Sequence, residues 1–305
     1  MTGDVTVTGN GSNSTTLTGT SIGGNLNVSL TGGASADASG AQTAGNVTVT
    51  TSGSSTFVAA TGGGTTAVAM ANGPATLHAT LPTNTFTTNV SFSVQAVAPT
   101  NNVAAAGTAP DGTLTSVTPV AQYQFSFAIP TLNQNATLTF DITLAALDPT
   151  SRAAFLAALT SGAATVAVLG DAPGSLWQTF PICGTGQPPS PGGCVTLVKL
   201  DANGLPLPDG SLQEPAVVRF TGLAGHFSRW GVVLSKPIRL ETTLLGNGTL
   251  RLAWPGVAAA LVETSTNLAP NSWSPAGAPT QQPDGTWRLD VSPSEPMRFY
   301  RLKAQ

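Results

Sequence analysis

The chain has 305 residues, enough for roughly two or three domains with real cores. Only 8% of residues are charged, the formal net charge is -3, and no Lys or Arg precedes Arg152. Such a surface cannot neutralise phosphates, which excludes nucleic-acid binding, and it offers no basic cluster to draw the chain onto an anionic membrane.

Gly, Ser, Thr, Asn and Ala dominate, yet short Val/Leu/Phe alternations recur along the chain and the mean hydropathy is +0.16. Many short strands separated by turn residues predict an all-β, mainly β protein. The N-terminal region, residues 1–83, repeats. "GDVTVT" starts at Gly3, "GNLNVS" at Gly24 and "GNVTVT" at Gly45, an offset of 21 residues. A second glycine column holds Gly11, Gly32 and Gly53. Val5, Leu26, Val47 and Val68 make one apolar column, and Val7, Val28, Val49 and Met70 another. Asp4, Asn25 and Asn46 make a polar column between them. A fixed period near this length predicts β-solenoid coils, each with an inward Val pair, and a side-chain ladder of Asp and Asn. A Thr/Ser-rich stalk without fixed pairing and a flat sandwich are the alternatives.

In the central region, residues 84–237, longer strands follow: "NVSFSVQAV", "AQYQFSFAI" and "ATLTFDITLAAL". Tyr123, Phe125, Phe127 and Ile129 alternate with period 2 and share one face. A helix is expected over 148–160, with Asp148 as its N-cap and Pro149 in its first turn. The apolar run from Ala153 to Gly170 is broken by Thr and Ser-Gly, so it reads as that helix followed by a strand, not a membrane span. Strands resume with "ATVAVLG", "CVTLVKL", "AVVRFTGL" and "SRWGVVL". The expectation is a β-sandwich with one inserted helix.

Cys183 and Cys194 bracket "GTGQPPSPGG". No further Cys or His lies near enough for a metal site, so the pair is read as a disulfide closing a surface loop, worth about 3 kcal/mol in the chain-entropy model. A bridge implies an oxidising compartment. No signal peptide precedes Thr2, and the expectation is therefore a processed chain or part of a longer one. In "LDANGLPLPDG", Asp201, Asn203 and Asp209 are weak candidates for calcium. The closing Glu and extra carboxylates of an EF-type loop are missing, and a plain hairpin turn is favoured. No cofactor is expected.

"QYQFSFAIPTLNQNATLTFDITL" and "SLWQTFPICGTGQPPSPGGCVTLVKLDANG" resemble the choice-of-anchor U domain of bacterial secreted proteins, over Val117 to Leu234. The resemblance implies a β-sandwich on a surface-attached protein and no catalysis. From 238 to 305 the strands "LRLAWPG", "TWRLDVS" and "MRFYRLK" alternate with Pro/Gly turns. The order Trp254, "ETSTNL", Trp273, Trp287, "RFYRLK" resembles the small β-sandwich that closes many large secreted bacterial proteins. Trp254 and Trp287 fall in apolar alternations, which favours core roles over stacking on sugar rings.

The chain has two histidines, and His226 stands before Phe227 and Ser228. In a strand His226 and Ser228 would share a face. The tripeptide resembles the cut site of self-cleaving domains, including the nucleoporin autoproteolytic domain and related death-domain-protein β-sandwiches. That resemblance implies Ser228 as nucleophile and His226 as base, acting on the Phe227 carbonyl. The competing and favoured reading is an ordinary strand start where His and Ser form local hydrogen bonds. Together these readings predict a non-enzymatic, adhesin-like protein of bacterial type, extracellular or on the cell surface and joined to a longer chain or surface assembly. A polysaccharide or cell-surface ligand is the expected partner, with no nucleic acid and no membrane insertion. A carbohydrate-binding accessory region of a larger secreted enzyme, and an autoproteolytic sandwich, are the alternatives.

Overall fold

A computed structural model describes residues 2–38, 42–43, 45–51, 56–60, 66–83, 85, 91–97, 105–109, 111, 113–127, 132–170, 175–226, 228–255, 260–284, 286–292 and 297–304. The protein is mostly β, with several sheets and one α-helix among the described residues. Residues 1–103, 119–175 and 180–234 form one compact unit, and residues 104–118, 176–179 and 235–305 form another.

In the first unit the Val pairs of the repeat stack in parallel. Val5–Gly9 pairs with Leu26–Leu30, and Leu26–Leu30 with Val47–Thr51, so that Val7, Val28 and Val49 lie in one row. Ser14–Thr16, Ser35–Ala38 and Thr56–Ala60 form a second parallel run with the same 21-residue step, Ser14↔Ser35↔Thr56. The polar column forms a ladder: the Asn25 N–H donates to Asp4 Oδ1 at 2.7 Å, and the Asn46 N–H to Asn25 Oδ1 at 2.9 Å. Glycine is needed beside it. A Cβ on Gly45 would stand 2.6 Å from the Gly24 carbonyl oxygen.

The fourth line departs from the expected columns. Val49 pairs with Val68 and Thr51 with Met70, so Val47 faces Thr66 and not Val68. The step has shortened by two residues. An even shift keeps every side chain on its own face, so the alternation of Val and Thr permits either register. Thr51 and Thr66 are buried as a result.

Both parallel runs continue into antiparallel strands. Thr66–Asn72 turns through Gly73, at φ 60°, into Ala75–Leu81. Ala136–Thr143, Val217–Ala224 and Thr196–Leu200 then complete the first sheet. The second run passes from Thr56–Ala60 to Ser91–Val97 and Leu114–Phe127, and Arg229–Pro237 pairs with Ala164–Leu169. Residues of both sheets, among them Val28, Leu77, Tyr123, Phe125, Phe140 and Phe220, share one apolar core. Asn72 ties the sheets within it: its side-chain amide donates to the carbonyls of Val97 and Gln122, both at 2.9 Å. Such a buried amide is stable only because its donors are matched.

The helix runs Pro149–Thr160. The Asp148 carboxylate accepts the Thr150 and Ser151 N–H groups at 3.0 Å, and Phe155 and Ala158 turn into the core. No helix among the described residues is long and apolar enough to cross a membrane.

The second unit has its own core of Leu114, Ile238, Leu252, Trp254, Ala260, Val262 and Leu289. Glu241–Leu244, Leu250–Trp254, Trp287–Val291 and Thr280–Gln281 form one sheet, and Ser274–Pro275, Ala260–Ser265 and Phe299–Ala304 another. Ala105–Thr108 also belongs to this unit, pairing with Leu114–Val117.

Candidate functional site

The first sheet ends on Thr196–Leu200, which pairs on one side with Val217–Ala224. The Ala216 N–H bonds the Leu200 carbonyl, so even-numbered residues turn their backbone groups toward that neighbour. Odd-numbered residues turn theirs to the edge. Val195 is met there by the Pro181 carbonyl and the Cys183 N–H, and the Lys199 carbonyl by the Leu207 N–H at 2.8 Å. Leu197 lies between these two contacts, and its N–H and C=O face an opening.

Two hollows flank that opening. One, of about 590 Å³, is lined by the 182–188 segment with Thr196, Leu197, Val198 and Asp209. The other, of about 360 Å³, is lined by Leu197, Val198, Lys199 and the 206–211 segment. They share Leu197, Val198 and Asp209 and form one groove along the edge strand. Its first wall is held covalently. Cys183 and Cys194 are joined by a disulfide with Cα atoms 5.0 Å apart. Inside that loop Gly184 donates to Gln187 Oε1 at 3.3 Å, and Gln187 N–H to the Gly184 carbonyl at 2.9 Å.

The three calcium candidates divide between two tasks. Asp201 Oδ1 accepts the N–H groups of Asn203 and Leu205, both at 2.8 Å, and so closes the turn at 201–205. These bonds, the one from Leu205 first, hold its carboxyl below the usual range. Asp209 takes no part in that turn and lines the groove instead. Among the described residues no three His, Cys, Asp or Glu side chains gather as a metal site.

The His-Phe-Ser segment does not continue a strand. Gly225, His226 and Ser228 form a bend between Val217–Ala224 and Arg229–Pro237, so the alternation that would give His226 and Ser228 a common face is interrupted. His226 is exposed, with its ring 6.4 Å from that of Trp230. Ser228 is 1% exposed, its hydroxyl meets no hydrogen-bond partner, and its carbonyl accepts the Phe125 N–H at 3.1 Å. Phe227 lies outside the described residues.

Two charged groups went unnoticed in the sequence. Arg219 grips Asp141 through two bonds of 2.7 Å, and His78 Nε2 lies 3.6 Å from the same carboxylate. Asp141 and Arg219 are direct cross-strand partners, while His78 comes from the strand on the other side. In the second unit Glu263 is bracketed by Arg301 and Lys303 at 2.7 and 3.0 Å, and these bonds hold its carboxyl below the usual range. Arg301 also lies 4.2 Å over the ring of partly exposed Trp273, whereas Trp254 is buried and Trp287 packs against the core. Only strand register reveals such groups, because their members lie 38 to 78 residues apart.

Fold and site thus define a mostly β, disulfide-bearing protein with an open groove at a sheet edge. The chain matches no family model, and no curated protein matches it at a significant level.

Proposed function

We propose that this is a non-enzymatic, adhesin-like protein of the bacterial extracellular space or cell surface, and that the groove beside Thr196–Leu200 takes a polysaccharide of a cell surface. In this reading the N-terminal coils are a β-solenoid, the longer strands a β-sandwich of choice-of-anchor U type, and residues 238–305 contribute a small closing sandwich. The groove carries the proposal. Its Gln187, Thr185 and Asp209 side chains, with the free N–H and C=O of Leu197, supply donors and acceptors to sugar hydroxyls, and Pro188, Pro206 and Pro208 supply apolar surface. The disulfide supports an oxidising compartment and fixes one groove wall before the ligand arrives.

The test is binding of soluble polysaccharides to the full chain, by glycan array followed by calorimetry. Asp209→Ala should weaken binding about tenfold, since a hydrogen bond to a charged group contributes about 1.5–3 kcal/mol. Gln187→Ala should weaken it less. Binding unchanged in both variants, or no retained glycan, would sink the proposal. Binding lost instead on Trp273→Ala would favour a carbohydrate-binding accessory region of a secreted enzyme.

One observation favours a second reading, self-cleavage before Ser228: that residue's hydroxyl is buried and without a partner two residues from His226. In it the hydroxyl adds to the Phe227 carbonyl, the amide nitrogen leaves with the proton His226 has taken, and water opens the ester. A denaturing gel of freshly purified protein is expected to show a single full-length band. Two bands that become one in Ser228→Ala would overturn the non-enzymatic reading.

A further inference from the structure

The groove does not stop at the edge strand. Thr196 and Val198 line it, and strand register carries both residues onward over the outer face of the first sheet. Thr196 pairs with Thr221, Thr221 with Thr139 and Thr139 with His78, which makes one row across four strands. Val198 pairs with Arg219, Arg219 with Asp141 and Asp141 with Thr76, which makes a second. Phe220, Phe140 and Leu77, which lie between the rows in sequence, are buried in the core, so only backbone separates the rows on the outer face. The rows stand about 6.8 Å apart along the strands, and successive members of a row about 4.8 Å apart.

Side chains bond along each row and leave the space between the rows open. The Thr139 and Thr221 hydroxyls meet at 3.2 Å, and Arg219 holds Asp141 through two bonds of 2.7 Å. His78 reaches across instead: its Nε2 lies 3.6 Å from Asp141 Oδ2 and closes the track at its far end. On the next strand Ala69 pairs with His78 and carries no polar group. The Arg219 side chain is 42% exposed, and the guanidinium N–H groups that do not bond Asp141 are left for a ligand. The charge around the track selects its occupant. The compact unit that holds it has four Lys and Arg against eight Asp and Glu, and Asp209 and Asp141 would both face an anionic chain. A neutral glycan meets no such repulsion. Its hydroxyls can donate to Asp141 and to the Thr oxygens and accept from Arg219.

Taking the groove as the glycan site, we infer that a neutral, extended glycan of the cellulose type runs from it across the strands as far as His78. The row of Thr196, Thr221 and Thr139 lies along one edge of the glycan, and the row of Val198, Arg219 and Asp141 along the other. A chain of this type is a straight ribbon with hydroxyls on both edges, which suits a flat track with polar groups on both sides. Val198 and the Thr methyl groups supply apolar contact to the rings.

Calorimetry of the full chain with cellobiose and cellohexaose tests this. Cellobiose is short enough to stay in the groove, whereas cellohexaose reaches the track. Cellohexaose should bind about tenfold more tightly, from the added hydrogen bonds. Thr221→Val removes a hydroxyl and keeps the β-branch, and Arg219→Gln removes the guanidinium. Each should lower cellohexaose affinity about fivefold and leave cellobiose affinity unchanged. Thr221→Val leaves the Arg219 pair with Asp141 intact, so it decides the matter if Arg219→Gln lowers the melting temperature. Asp209→Ala, in the groove, should weaken both ligands. Equal affinity for the two lengths, or a cellohexaose affinity indifferent to Thr221→Val, overturns the inference, and the groove reading survives if Asp209→Ala still weakens binding. Retention of an acidic polysaccharide with neither neutral oligosaccharide bound overturns it too. Failure to bind any glycan removes the groove reading as well.

Discussion

Val28→Asp should unfold the N-terminal parallel strands. Val28 is 3% exposed, in register with Val7 on one side and Val49 on the other. A carboxylate there is buried among apolar side chains, and neither strand paired with it, Val5–Gly9 or Val47–Thr51, carries a Lys, Arg or His. Burying an unpaired ionisable group belongs to the most damaging substitutions, and we expect a loss of more than about 4 kcal/mol, a large part of a typical domain's stability. Val28→Ile keeps the β-branch and the polarity, adds one methylene, and should cost no more than about 1–3 kcal/mol. Urea unfolding, with amide exchange of 26–30 and 47–51 as the local readout, separates the two. A Val28→Asp protein that melts with wild type would show that these residues do not pack as a stacked row.

The second large effect is expected at Gly45, in the glycine column. An added Cβ would stand 2.6 Å from the Gly24 oxygen and 2.7 Å from the Gly24 carbonyl carbon, closer than carbon atoms approach without displacement. To admit it the two repeat segments must separate, which stretches the Gly45 N–H bond to the Gly24 carbonyl (3.0 Å) and the Asn46 N–H bond to Asn25 Oδ1 (2.9 Å). Overpacking and two weakened hydrogen bonds together should cost about 3 kcal/mol. Gly3→Ala, the same substitution in the same column, meets open space and should stay within about 0.5 kcal/mol. Equal losses at Gly3 and Gly45 would assign the effect to backbone entropy instead of the contact with Gly24.

Much of the local structure was legible in the residues themselves, because its causes are local. The helix follows from an acidic cap, a proline in the first turn and a run of good helix formers, and it forms over Pro149–Thr160. The disulfide follows from two lone cysteines around a Pro/Gly loop. The first steps of the repeat follow from glycine, Asn and Val columns that each meet a like residue 21 positions away.

The remainder depended on which strands lie side by side. Alternation with period 2 marks a strand's inner face but not its register, so the two-residue slip at Val68 and Met70 left no trace in the pattern. Nor does alternation reach past a bend: Ser228 is buried and His226 exposed because the chain turns between two strands there. The Asn72 amide finds its carbonyls on Val97 and Gln122 across the core, and Asp141 meets Arg219 from 78 residues away. The groove beside Thr196–Leu200 exists because that strand is the last of its sheet and two separate segments bond to its edge on either side of Leu197. Pairing of this kind is decided by the assembled sheets, since the backbone groups that make it are the same at every residue, and only their neighbours in space determine which are satisfied and which remain open.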